Sequence, residues 1–202
     1  MPDDAAPLRP LVAFLGGAGD RLFQPCRSVF RRVEAMPEAA GCELLYAAHW
    51  QAGRVLDRIA ARPAGAPVHL VGHSWGGDAA ARLAARLGAE GRQVALLLTI
   101  DPVARWIDPV FLARVRAGAR VWVNARAVGG PHFHYSDVVA AIGGPYGEAP
   151  RRFADLHLDL PQPHAAFGAM LAARLPDGRS LLDLALHGPA LPEPGAGDLV
   201  PA

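Results

Sequence analysis

The chemistry of this chain starts at Ser74. It lies in "GHSWGG", Gly72 to Gly77, between an apolar run, Val68–Val71, and an alanine-rich helical pattern, Gly76–Leu87. Gly72 and Gly76 bracket the serine as G-x-S-x-G, the pattern of a nucleophile on a sharp strand-to-helix turn. Such a turn strains the serine backbone and tolerates only small neighbours. It lifts the hydroxyl above the sheet edge and aims a helix N-terminus at negative charge developing there. With 22 glycines in the chain, the bare pattern is weak. A phosphate-binding or plain tight turn is the competing reading, and the strand before and helix after favour the nucleophile.

A serine hydroxyl attacks well only when a base takes its proton and an acid orients that base. The next strand, "VALLLTIDPV", ends in Asp101 followed by Pro102, so Asp101 is the expected acid. Asp137, farther along, is the reserve. His164 is the expected base: it follows the last strand, after a loop stiffened by Pro161 and Pro163. His157 falls inside that strand, and His73 is expected to support the turn rather than act as base. The two N–H donors of an oxyanion hole are expected from Trp75 and from Gly17 or Ala18 in "FLGGAGD". That loop does not continue as a dinucleotide fingerprint, because Leu22 replaces the third glycine and no acidic residue ends the next strand. His132 and His134 share a face in extended chain but have no further ligand cluster nearby, so no metal site is expected.

These residues need a scaffold. Strand-length apolar runs at Leu11–Leu15, Glu43–Ala47, Val68–Val71, Val94–Ile100, Ala119–Asn124 and Phe153–Leu158 alternate with helical patterns near Arg27–Glu34, Gln51–Arg62, Gly76–Leu87, Pro109–Ala117 and Ala165–Arg174. Several of the runs are continuously apolar, as in strands covered on both faces. The alternation predicts an α/β fold: a mainly parallel sheet of about six strands with helices on both faces, its ligands at the carboxyl ends of the strands. Residues 128–152 are expected to be a long Gly/Pro-rich binding loop. One domain over 1–187 and a flexible Pro/Gly-rich tail over 188–202 complete the expected layout.

Composition bounds the function. The chain has 202 residues, 51% apolar and 19% charged, with a net charge of +1. Nothing in that balance calls for nucleic acid or an anionic membrane as partner. Cys26 and Cys42 cannot build a disulfide framework and suit a reducing compartment. No apolar run reaches membrane-spanning length and no signal peptide is visible, so a cytoplasmic location is expected, with signal-independent export compatible with the same sequence.

Taken together, "GHSWGG", "FLGGAGD", "TIDPV" and "PQPHAAF", in the order Ser, acid, His, resemble the α/β-hydrolase superfamily over roughly residues 10–175. In most of that family the acid follows the next strand but one after the nucleophile. Asp101 follows the very next strand, an arrangement that resembles the pancreatic-type lipases. The chain has no room for the first two antiparallel strands or for a cap domain, which implies a minimal three-layer form with an open site. Trp106, Phe133 and Tyr135 would wall that site. The resemblance implies a serine hydrolase of carboxylic esters or thioesters acting through an acyl-enzyme without cofactor, on a small acyl, ester or lipid substrate. A hydrolase-like binding protein without chemistry and a phospholipase-type antibacterial effector are the alternatives. The oligomeric state is not legible.

Overall fold

The computed structural model describes residues 8–21, 23–130 and 132–189. Six strands form one sheet: β1 (Leu11–Gly16), β2 (Glu43–Ala48), β3 (Val68–His73), β4 (Val94–Ile100), β5 (Ala119–Ala127) and β6 (Leu156–Leu160). Their order across the sheet is β2-β1-β3-β4-β5-β6, and every neighbouring pair is parallel. The chain runs outward from β1 to β2, returns to β3 beside β1, and then advances strand by strand to β6. That reversal leaves a crevice at the carboxyl ends of β1 and β3, where open α/β sheets bind ligands.

Alternate residues of β1 to β5 feed two cores. On one face Val12, Phe14, Val71, Leu96 and Leu98 pack against α1 (Pro25–Glu34), α6 (Phe167–Leu171) and α7 (Leu181–His187). On the other Leu11, Ala13, Leu15, Leu70, Leu97 and Trp122 meet α2 (Ala52–Ala60), α3 (Trp75–Ala89) and α4 (Pro109–Ala117). Burial on both faces explains why the central strands are continuously apolar.

Three expectations need correction. The last strand starts at Leu156, not Phe153, because Ala149–Arg152 winds into a 3-10 turn and the N–H groups of Phe153 and Ala154 both bond to the Pro150 carbonyl. The helix expected over Ala165–Arg174 shortens to α6; a separate helix, α7, follows it, capped by Ser180, whose hydroxyl accepts from the Asp183 N–H. The stretch 128–152 is not a bare loop. It contains α5 (Tyr135–Gly143), whose cap is the His134 imidazole accepting from the Ser136 N–H. Of the expected tail, residues 190–202 lie outside the described residues, as does Leu22. Among the described residues no helix is long and apolar enough to cross a membrane.

Candidate active site

Ser74 stands between β3 and α3 at φ 57°, ψ −128°, a region that L-residues avoid. What holds it there is close packing around the two glycines. A Cβ on Gly76 would overlap the Leu15 carbonyl, and one on Gly72 would overlap the Gly76 carbonyl, so β1, β3 and α3 meet at a distance only glycine permits. Hydrogen bonds fix the turn further: the Ser74 N–H donates to the Ile100 carbonyl at 3.1 Å, and the Ser74 carbonyl accepts from Gly77 and Val103.

The Ser74 hydroxyl lies 3.0 Å from Nε2 of His164, and Nδ1 of the same ring lies 2.6 Å from Oδ2 of Asp101. All three residues come from different strand ends: β3, β4 and the loop after β6. Asp101 is buried and has its own positive φ, 41°. Its other carboxylate oxygen accepts from the Ala127 N–H at 3.1 Å. The aspartate therefore presents one oxygen to the backbone of β5 and the other to the imidazole, which sets the tautomer with a proton on Nδ1 and a free lone pair on Nε2 facing the serine.

Asp137 touches the same histidine differently. Its Oδ1 accepts from the backbone N–H of His164 at 2.7 Å. Beside it the Ser136 hydroxyl accepts from the Ala165 N–H at 3.1 Å. The first turn of α5 thus grips the peptide of the histidine loop. His73 holds the other side: its Nε2–H donates to the His164 carbonyl at 2.8 Å, with the rings 4.9 Å apart. Burial, followed by the proximity of His164, pushes the His73 pKa down to about 4, so the ring stays neutral at physiological pH.

The loop after β1 passes close to the serine. A Cβ on Gly17 would come 2.7 Å from the Ser74 Cβ. The backbone N–H groups of Gly17, Ala18 and Trp75 donate to no protein acceptor among the described residues, and Trp75 is the first residue of α3. Asp20, buried at the end of this loop, accepts from the N–H groups of Cys26 (2.6 Å) and Arg27 (3.1 Å) and from the Tyr46 hydroxyl. It caps α1 and ties the loop to β2 at once, a role the sequence reading missed although the residue closes the quoted "FLGGAGD".

A cavity of about 310 Å³ opens over Ser74 and His164. Its walls come from the β1 loop, including Phe23, from Val103 and Arg105, and from α5, through Tyr135, Val139 and Ile142. Ile142 and Phe23 are 75% and 68% exposed, so the mouth is rimmed with apolar side chains. Of the three expected wall residues only Tyr135 lines it. Trp106, 84% exposed, lines a neighbouring groove instead, and Phe133, 83% exposed, lines neither. The displacement has a physical reason: the helix α5, not an extended loop, covers the site and presents Val139 and Ile142, three apart on one face.

The remaining histidines stay outside. His157 accepts from Asn124 within a buried polar chain that continues through Thr99 to the Trp122 N–H. The carboxylates near His157, Glu148 and Asp159, are paired with Arg126 and Arg151, so that cluster is already neutralised by guanidinium groups. His134 caps α5.

No family model matches the chain, and no curated protein has a matching sequence. Solved structures do match. BorB, the type II thioesterase from the borrelidin biosynthetic cluster, aligns over 92% of this chain and 94% of its own at 19% identity and a TM-score of 0.51. This chain has the α/β-hydrolase fold. YbtT, the type II thioesterase of the yersiniabactin NRPS/PKS pathway, aligns over 84% of this chain and 91% of its own at 14% identity and a TM-score of 0.50. At such identities the likeness is one of fold. Within that fold the chain has six parallel strands, and the short segment bearing α4 joins β4 to β5.

Proposed function

We propose that this protein is a serine hydrolase of carboxylic esters or thioesters. The observation that carries the reading is the continuous contact from Asp101 through His164 to Ser74, at 2.6 and 3.0 Å, at the floor of an apolar cavity. In the reaction the Ser74 Oγ attacks the acyl carbonyl as its proton passes to His164 Nε2. The carbonyl π pair becomes the oxyanion, held by the N–H groups of Trp75 and of Gly17 or Ala18. Collapse expels the alkoxide or thiolate, which takes the proton from Nε2. Water, deprotonated by the same nitrogen, then attacks the acyl-enzyme, and Ser74 leaves with the proton restored. Asp101 holds the ring through Nδ1 and stabilises the imidazolium.

The cavity suits the acyl group. At ~30 Å³ per water it holds roughly ten waters' worth of volume, enough for a short or medium chain. Thioesters belong in the class because the attacked carbonyl and the oxyanion are the same; BorB and YbtT, both type II thioesterases, agree with their inclusion.

The test is a p-nitrophenyl ester series from acetate to palmitate on the wild type and on Ser74→Ala, with fluorophosphonate labelling in parallel. Turnover peaking at short or medium chains, lost by several orders of magnitude in Ser74→Ala, is the expected outcome. Equal rates for the two proteins, or a serine that the fluorophosphonate leaves unlabelled, would leave a hydrolase-like fold without the chemistry.

A further inference from the structure

A second depression adjoins the catalytic cavity. It measures about 810 Å³ and runs between α2 and α3 beside the 103–106 segment. The two spaces share Trp75, Val103, Arg105 and Gly143, so they meet at the residue directly after the nucleophile. From Trp75 the groove follows one face of α3 through Asp78, Ala79, Arg82 and Leu83 to Arg86, ~16 Å at 1.5 Å per residue. Its floor is apolar, formed by Ala52, Leu56, Ala79 and Leu83.

Charge along it is one-sided. Three guanidinium groups, those of Arg82, Arg86 and Arg105, face a single carboxylate, Asp78. Asp78 is already occupied, by Arg82 at 2.8 Å and by the Tyr146 hydroxyl at 2.8 Å. Arg86 pairs only with the exposed Glu90, which lies outside the groove, and Arg105 has no ion-pair partner among the described residues. His49, at the Trp75 end, has its pKa lowered by burial and adds no positive charge of its own near neutral pH.

An ester bound at Ser74 must send its acyl arm and its leaving group in different directions. The apolar cavity under α5 takes the acyl arm, and the groove that joins it at Trp75 offers the leaving group a separate path. We propose that this groove is a leaving-group site, and that the leaving group it takes carries a phosphate, met by Arg105 near the scissile bond and by Arg86 at the far end. The inference rests on the proposed hydrolase reading and names its substrate class. Guanidinium groups are suited to phosphate by their paired, always-charged donors.

Two pairs of substrates with one octanoyl chain test it. The first is 1-octanoylglycerol against 1-octanoylglycerol 3-phosphate, a lipid-type source of phosphate. The second is S-octanoyl-N-acetylcysteamine against octanoyl-coenzyme A, a nucleotide-type source at the end of a long arm. In at least one pair the phosphorylated member should have the higher kcat/KM by about tenfold, the worth of one charge-assisted hydrogen bond, with most of the gain in KM. The pair that responds identifies the source. In Arg105→Glu with Arg86→Glu that ratio should fall towards one, and salt should compress it in the wild type. Ratios near one in both pairs, or a ratio the double variant leaves intact, would overturn the leaving-group site while hydrolysis of the neutral members left the serine mechanism standing. Absence of hydrolysis in all four, with Ser74 unlabelled, would instead count against the mechanism.

Discussion

Asp101 and Asp137 both reach His164, and the atoms they reach separate their tasks. Asp101 meets the imidazole Nδ1, so Asp101→Asn should reverse the tautomer and lower kcat by about 10⁴-fold, with KM little changed. Asp137 meets only the backbone N–H. Asp137→Ala, which removes the acceptor, should let the loop shift and cost up to about 10²-fold, the scale of a small misplacement of a reacting group. Steady-state kinetics on the two variants check the order; a larger loss at Asp137 would exchange the roles. His73 makes a further prediction by linkage. Its pKa is lowered from the ordinary 6.5 to about 4, so between those values the unfolded chain binds a proton that the native chain refuses. Native stability therefore falls as pH drops from 6.5 to 4, by about 3 kcal/mol from this residue. Urea melts across that range should show the slope flattened in His73→Asn, which keeps a donor for the His164 carbonyl without a titrating ring.

At the scale of elements, the site depends on three junctions. The turn at Ser74 needs β1, β3 and α3 in glycine-only contact, and α5 anchors the histidine loop through its first turn. The third junction is the β1 loop, clamped by Asp20 to the N-terminus of α1 and to Tyr46. Asp20→Ala should remove the cap at a cost of about 1–2 kcal/mol. It should also loosen the loop that carries Gly17 and Ala18, so kcat falls beyond what the stability loss alone explains at temperatures well below Tm. A fall in Tm with kcat intact would restrict Asp20 to a structural cap. The end of β4 was legible in the sequence, because an apolar strand closes at Asp101 and Pro102 cannot continue the pairing. Helix α5 was not. Its nine residues sit between glycines and prolines, its cap is a histidine rather than a common capping residue, and tertiary contact with the His164 loop stabilises it.

Over the whole molecule, stability lies in two cores separated by the sheet. Trp122 is fully buried in the core beneath α3 and α4, and its indole N–H donates to Thr99, which continues to Asn124 and His157. Trp122→Ala should cost about 3–5 kcal/mol, part of it cavity and part a disrupted polar chain, and lower Tm by roughly 2–4 °C for each kcal/mol at this size. Thermal unfolding measures it directly, and a shift under a few degrees would mean that the core collapses around the gap. The sequence determined on its own the parallel α/β alternation, the glycines of the turn at Ser74 and the placing of Ser74, Asp101 and His164 after β3, β4 and β6, because each depends on local pattern: apolar period, turn residues and the punctuation by Pro and Gly. Tertiary structure alone decided that Asp101 meets the ring of His164 and Asp137 its backbone, that α5 covers the cavity, and that Trp106 faces the arginine-lined groove. Those outcomes depend on packing between segments some thirty to ninety residues apart, and no local pattern records which side chain will arrive opposite which.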